Sequence, residues 1–183
     1  MDMTRSEAIA LVKAHVDSRN LVNHMIATGA IMRVLAEKMG YDMDLWEIAG
    51  ILHDYDYPET KTTPEKHGLV SVELLKEKDL PQDVYDAILA HCGKKEREKP
   101  IEKAIYAADP TTGFIVAAAL IRPEKLLAPV NVEFLLKKFK QKAFAKGASR
   151  EQMQSCSELG LSLEEFLDLS LNAMKNIHEE IGL

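Results

Sequence analysis

The sequence predicts an all-α fold. Three features predict it: helix-start signals recur along the whole length, apolar residues return at helical spacing, and no segment shows the period-two alternation of a half-buried strand. Thr4-Arg5-Ser6-Glu7 has the spacing of a capping box, in which a hydroxyl and a carboxylate each satisfy a free backbone N–H, and it opens a helix carrying Ile9, Val12 and Val16. Asp17-Ser18-Arg19-Asn20 interrupts, and Asn20 caps a second helix running from about Leu21 to Met39, which Gly40 ends in the left-handed conformation. Asp44-Leu45-Trp46-Glu47 reads as another capping box, leading through Ile48, Ile51 and Leu52 to His53-Asp54 near a helix end.

Tyr55 to Thr62 reads as a polar loop, and Thr63-Pro64 supplies an N-cap and first-turn proline for a helix holding His67, Val70, Leu74 and Leu75. Pro81 begins the next helix, which carries Val84, Ile88 and Leu89 to His91 before Gly93. Pro100 starts a further helix that Pro110 closes just after Asp109, because proline has no N–H to donate and clashes with the preceding turn. Gly113 to Ile121, apolar on all sides, is then a separate buried helix cut by Arg122-Pro123. Val132 to Lys146 is amphipathic and stopped by Gly147, and capping boxes at Ser149-Arg150-Glu151-Gln152 and Ser162-Leu163-Glu164-Glu165 open the last helices. No internal repeat is present.

With 183 residues and no linker-like stretch, one domain over residues 1–183 is the expectation. A composition with 46% hydrophobic and 28% charged residues is that of a globular protein and favours neither a disordered nor a disulfide-stapled chain. The net charge of −6 would repel a phosphate backbone on average, so nucleic acid is not expected as a partner. The start lacks the cationic-then-apolar pattern of a signal peptide, and Cys92 and Cys156 form no C-x-x-C pair, which favours the cytoplasm. No apolar run approaches the roughly 20 residues needed to span a bilayer, so no membrane contact is expected.

Four side chains stand out in order: His24, the adjacent His53 and Asp54, and Asp109. Neighbours on a helix point about 100° apart, so both can reach one ion only at a helix end, and His53 is predicted to lie at one. Imidazole nitrogen mixed with carboxylate oxygen suits a first-row transition ion, whereas an all-oxygen set would suit magnesium or calcium. The dipeptide His-Asp alone is weak evidence. Its context is stronger: it follows Ala49-Gly50-Ile51-Leu52, with a histidine on the preceding helix and Ala107-Ala108-Asp109 downstream.

That ordered pattern resembles the HD superfamily of metal-dependent phosphohydrolases, over roughly Leu21 to Arg122. The resemblance implies an HD-type helical core at about 20–122, with residues 130–183 as an added helical extension or dimer surface, so a homodimer is open. It implies His24, His53, Asp54 and Asp109 as metal ligands. Lys66-His67-Gly68-Leu69-Val70 and Ala87-Ile88-Leu89-Ala90-His91 are similar to stretches in HD-type diadenosine tetraphosphate hydrolases, which implies His67 and His91 as ligands of a second ion bridged by Asp54. The cofactor implied is one or two divalent ions, iron or manganese first, with zinc, cobalt, nickel and magnesium as alternatives. His53-Asp54-Tyr55-Asp56 lacks the Ile-Gly that often follows the pair, so no one substrate is carried over.

The activity implied is hydrolysis of a small phosphate ester, a nucleotide or dinucleotide, with Asp54 as the catalytic group that bridges the ions or orients water. Lys61, Lys94, Lys95 and Arg122 follow ligand-bearing segments and are candidates for binding substrate phosphate. For the mixed-sign run Lys94 to Lys99 the plainer reading is a solvated loop, and for Cys92 a buried thiol. His15 and His178 receive no role. Two rival functions use the same residues: a di-iron oxygenase, and a non-catalytic sensor that binds nucleotide through the metal site.

Overall fold

A computed structural model describes residues 3–183; Met1 and Asp2, which open the segment read as the entry to the first helix, lie outside it. Among the described residues every regular element is helical: α1 (Arg5–His15), α2 (Arg19–Met39), α3 (Met43–Leu52), α4 (Tyr57–Thr60), α5 (Leu69–Leu75), α6 (Gln82–His91), α7 (Pro100–Leu120), α8 (Val132–Phe139), α9 (Arg150–Gln154), α10 (Leu163–Asn176) and α11 (His178–Ile181), with short 3-10 turns between some of them. None of these helices is long and apolar enough to cross a membrane.

The two long helices are the frame. α2 packs against α3, α7 and α10, while α6 lies on α7 and α3. Met25, Ile31, Met32 and Leu35 of α2, Phe114 of α7 and Phe166 of α10 are fully buried in one cluster that runs from Ala8 to Ile181. α2 and α3 cross with their backbones in contact. A Cβ added at Gly50 would stand 2.7 Å from Gly29 Cα, and one at Gly29 would stand 2.6 Å from Ile51 Cγ1. Only glycine at both positions permits that approach. It brings the turn of α2 that holds His24 against the end of α3 that holds His53.

Several element boundaries depart from expectation. α2 is capped by Ser18, whose side chain accepts from Leu21 N, rather than by Asn20. α3 is capped by Asp42, which leaves Asp44 in the first turn instead of at the cap. The expected loop over Tyr55 to Thr62 contains α4, in which the Thr60 hydroxyl donates to Asp56 O at 3.0 Å. The helix expected from Pro64 is broken at Gly68, whose φ of +80° no helix continues, and Thr63 makes no side-chain cap. His67 therefore sits on the bend between a 3-10 turn and α5.

The largest departure is at Pro110, which does not end α7 but lies inside it. Proline in a helix interior costs about 3 kcal/mol and leaves Tyr106 O without its N–H donor. Gln152 Nε2 reaches that oxygen at 3.5 Å, and burial of Phe114, Ile115, Ala118 and Ala119 beyond the proline supplies the offsetting term. Gly113 to Ile121 is thus the second half of α7, and it is not apolar-buried all round, since Leu120 and Ile121 are 49% and 51% exposed. α8 stops at Phe139 and does not reach Lys146. Arg150 donates to the carbonyls of Phe139, Gln141, Phe144, Ala145 and Ala148, so residues 140–148 wrap its guanidinium instead of bonding as a helix. Ser149 and Ser162 cap their helices, the second with the full reciprocal box.

Candidate metal centre

Each histidine of the candidate set is brought in by a different element. His24 is in the second turn of α2, His53 caps the C-terminus of α3, His67 lies before α5, and His91 is the last residue of α6. Asp54 follows His53 into a turn, and Asp109 is carried by α7 just ahead of its proline. Their reactive atoms converge. His24 Nε2 lies 3.1 Å from His53 Nε2 and 3.2 Å from Asp109 Oδ1. His67 Nε2 lies 3.0 Å from His91 Nε2. Asp54 stands between the two groups: Oδ2 is 3.4 Å from His24 Nε2 and 3.5 Å from His53 Nε2, while Oδ1 is 3.3 Å from His67 Nε2 and 3.4 Å from His91 Nε2.

The outward nitrogens decide what the inward ones offer. His53 Nδ1 donates to Gly50 O at 2.7 Å, and His91 Nδ1 donates to Ile88 O. Both acceptors are last-turn carbonyls that a helix end leaves free, and a carbonyl can only accept, so each Nδ1 carries the proton. His67 Nδ1 donates to the Asp56 carboxylate at 2.8 Å. His24 Nδ1 lies 2.6 Å from Thr112 Oγ1, and because that hydroxyl donates to Asp109 O at 3.0 Å, it accepts from the imidazole. All four rings therefore turn Nε2, the nitrogen left to take a proton or a metal ion, toward the cluster. Facing lone pairs about 3 Å apart repel unless a positive species lies between them, and outward hydrogen bonds of this kind are what orients metal-binding histidine.

The electrostatics agree with that demand. Burial works against protonation of His24, yet the carboxylates of Asp109 and Asp54 outweigh it and push the imidazole up to about 10. Burial likewise opposes protonation of His67, and Asp54 with Asp56 raises it to about 10. Burial would raise the Asp54 carboxyl, but the surrounding histidines hold it well below the usual carboxylate range, and Asp109 is held low in the same way by His24 and His53. The cluster as it stands favours protons on His24 and His67, where a cation would meet the same negative charge.

Three groups of possible ligand atoms lie within 4.8 Å of one another: His24, His53 and Asp109; His53, Asp54 and His91; and His67, His91 and Cys92. Cys92 donates to His67 O at 3.3 Å, and burial pushes its thiol up to about 11, which disfavours the thiolate a metal would need. The other residues fit a pair of divalent ions by charge and by donor type.

The anticipated phosphate-binding cations do not line the spaces beside His24. Two cavities, of about 520 and 340 Å³, open beside His24, and none of Lys61, Lys94, Lys95 and Arg122 lines either. Lys95 is paired at 2.8 Å with fully buried Glu102, so the Lys94 to Lys99 run folds about a carboxylate rather than standing free. Arg122 lies over the Phe134 ring.

Two supporting residues escaped the sequence reading. Asp56, fully buried, accepts from Gly68 N at 2.7 Å and Ser71 N at 3.0 Å while it holds His67. Burial raises its pKa, but His67 and those two N–H groups lower it further, so it is ionised. A carboxylate two residues beyond the His-Asp pair is the only signal for it, and a weak one. Thr112 is three residues after Asp109, a spacing that means a shared helix face only once the helix is known to continue through Pro110.

Comparison with known proteins agrees with this geometry. The HD domain family matches residues 21–119, more than half of the chain, and the protein belongs to that family. It is 30% identical to ribonuclease Y of Aquifex aeolicus over 170 residues, covering 90% of this chain and 30% of that protein. It is 24% identical to ribonuclease Y of Thermosipho melanesiensis over 136 residues, or 73% of this chain and 27% of the relative, and 33% identical to that of Aliarcobacter butzleri over 91 residues, or 50% and 18%. The chain thus spans less than a third of the length of each of these three relatives. HD membership and the histidine–aspartate clusters support a metal-dependent phosphohydrolase.

Proposed function

We propose that this HD-family chain, a single domain, hydrolyses a phosphodiester in a nucleotide-type substrate at a centre of two divalent ions. His24, His53, Asp109 and Asp54 would hold one ion, and His67, His91 and Asp54 would hold the other. The observation that supports this most is the pairing of inward Nε2 lone pairs about Asp54, a set satisfied only by positive charge. Bound there, such ions supply an activated water near neutral pH and offset charge on phosphoryl oxygens. The residues do the rest. The Nδ1 hydrogen bonds fix each ring, Asp54 turns one oxygen to His24 and His53 and the other to His67 and His91, and the partly exposed side chains of His24 and Asp109 line the cavity where a phosphate would enter.

The choice of a diester follows the relatives, which are ribonucleases by name. It makes the expected exclusion of nucleic acid doubtful: a net charge of −6 disfavours binding along a duplex, but not the entry of a short strand into a local cleft. The oxygenase and sensor readings gain no support from the family or the relatives.

Protein purified without chelator, analysed for metal and reloaded with manganese, iron, cobalt or zinc, is to be assayed on bis-p-nitrophenyl phosphate, p-nitrophenyl phosphate and short RNAs. Up to two ions per chain and metal-dependent cleavage of the diester are expected, with Asp54→Ala losing both ions and all turnover. Undiminished hydrolysis in EDTA, or by Asp54→Ala, would refute the reading, as would two bound ions with no turnover of any ester.

A further inference from the structure

The smaller of the two cavities beside His24, about 340 Å³, is the one that both His24 and Asp109 line, and its walls have two origins. Asp109, Gly113 and Ala117, spaced four apart on one face of α7, form the first. Ala145, Gly147 and Ala148, from the irregular segment after α8, form the second. Gly113 and Gly147 are the informative pair. Of the nine glycines, five have a positive φ, and Gly29 and Gly50 stand where a Cβ would collide with a neighbour. Gly113 and Gly147 have neither reason, since a Cβ at either would meet nothing within 4 Å. Both nevertheless stand in the lining of this cavity, and Gly113 does so in mid-helix, where glycine is destabilising relative to alanine. A bare backbone on each wall keeps the space between α7 and residues 145–148 open.

The width of that space depends on Arg150. Its guanidinium donates to the carbonyls of Ala145 and Ala148 at 3.1 and 3.0 Å, and to three more between Phe139 and Phe144, while it lies 4.7 Å from the centroid of the Phe114 ring of α7. It therefore holds the second wall against the helix that carries the first. Two residues on, Gln152 Nε2 reaches Tyr106 O at 3.5 Å, the α7 carbonyl that Pro110 leaves without a donor. One turn of α9 thus touches both walls. The space they bound adjoins the atoms on which the chemistry would depend, His24 Nε2 and Asp109 Oδ1, which converge at 3.2 Å in one of the possible metal-binding groups.

Resting on the phosphohydrolase reading, we propose that Arg150 is a positioning residue of the substrate cleft: by fixing residues 140–148 against α7 it sets the width between Gly113 and Gly147, and that width selects which ester reaches the candidate metal centre. Arg150 acts through the wall and does not touch the substrate. Apart from His24, Asp109 and Pro110, the lining side chains among the described residues are no larger than a methyl group, so the ester arm meets backbone and methyl groups instead of a charged or aromatic clamp. The substrate class is a phosphodiester with a slender arm beside the reacting phosphate, in preference to one with a broad aryl arm.

The test compares variants of the full chain on two diesters that differ only in the arm that stays, methyl p-nitrophenyl phosphate and bis-p-nitrophenyl phosphate. Gly147→Leu fills the space and is expected to raise KM for the bis-aryl ester about tenfold more than for the methyl ester, with metal content as in the parent. Arg150→Ala releases the wall and is expected to draw the two KM values together, the opposite direction. Arg150→Lys, with three donors for five carbonyls, is expected to restore the parent's ratio in part. Independently of turnover, trypsin should cut Arg150→Ala at the exposed Lys142 or Lys146 faster than the parent. Amide NMR of the zinc-loaded chain should show dimethyl phosphate shifting Gly113 and Gly147, and Gly147→Leu should weaken diphenyl phosphate at Gly113 more than dimethyl phosphate. Equal loss of kcat on both esters with an unchanged KM ratio, the result for an arginine that only stabilises the fold, would overturn the proposal. So would a trypsin pattern unaffected by Arg150→Ala, or no shift at either glycine. The expected NMR and trypsin results in a parent that hydrolyses no ester would uphold the cleft and refute the phosphohydrolase reading instead.

Discussion

The two halves of the candidate metal centre are built differently although they share Asp54. The half formed by His24, His53 and Asp109 hangs on α2, α3 and α7, where the α2–α3 crossing is a backbone contact and the surrounding side chains are fully buried. The half formed by His67 and His91 has one histidine at the end of α6 and the other on a bend between a 3-10 turn and Gly68. His67 is held by a hydrogen bond to Asp56, and Asp56 by two backbone N–H groups, so its position depends on one buried carboxylate. Rigid packing positions the first set and a polar tether the second. The first ion is therefore expected to bind more tightly, and the second to respond to changes around Asp56.

Proton competition sharpens this contrast because it is the same on both sides. His24 and His67 are each raised to about 10 in the metal-free protein, so each ion must displace a proton. Displacing one proton per ion weakens apparent affinity about tenfold for each pH unit lost, or about 100-fold from pH 8 to pH 6. Titration calorimetry in buffers of different ionisation heat should record that release, with the affinity gap between the ions unchanged by pH. A gap that opens or closes with pH would mean the tether is not what separates them. For the metal-free chain the sign is opposite: the stabilisation these raised histidines give is complete below their unfolded value of 6.5 and is lost as pH rises through about 10.

Asp56→Asn tests the tether itself. The asparagine would keep its amide oxygen on the N–H groups of Gly68 and Ser71 and turn its NH2 toward His67 Nδ1, a donor facing a donor, so His67 loses its anchor. Removing such an outer partner lowers metal affinity by about 10–100-fold, and here the loss should fall on the second ion, with the first within about threefold of the parent. Equal losses for both ions in competitive chelator titrations would erase the distinction between the halves.

The smallest effects separate packed glycine from open glycine. Gly50→Ala pushes a methyl group against the Gly29 backbone and should destabilise by about 1–3 kcal/mol, loosening the first half of the centre. Gly113→Ala meets nothing and should stabilise by about 0.5–1 kcal/mol. Thermal unfolding should show midpoints moving in opposite directions, by about 2–4 °C per kcal/mol for a chain of this size. A loss of stability in Gly113→Ala would mean that the position is packed rather than open.

Local chemistry along the chain determined the helical class, the caps at Thr4 and Ser162, the end of α2 at Gly40, and the placement of His53 and His91 at helix ends. Each depends on backbone groups only a few residues away. The spacing of His24, His53-Asp54 and Asp109 identified the family, because ligand type and order are written directly in sequence. Tertiary structure decided the rest. Pro110 stays inside α7 because distant apolar contacts offset its local penalty, and α8 ends early because Arg150, eleven residues beyond Phe139, takes the carbonyls a longer helix would need. Asp56 and Thr112 acquire roles only from what folds against them. Propensity acts over a few residues, whereas burial, charge pairing and cavity shape join atoms that the chain keeps far apart.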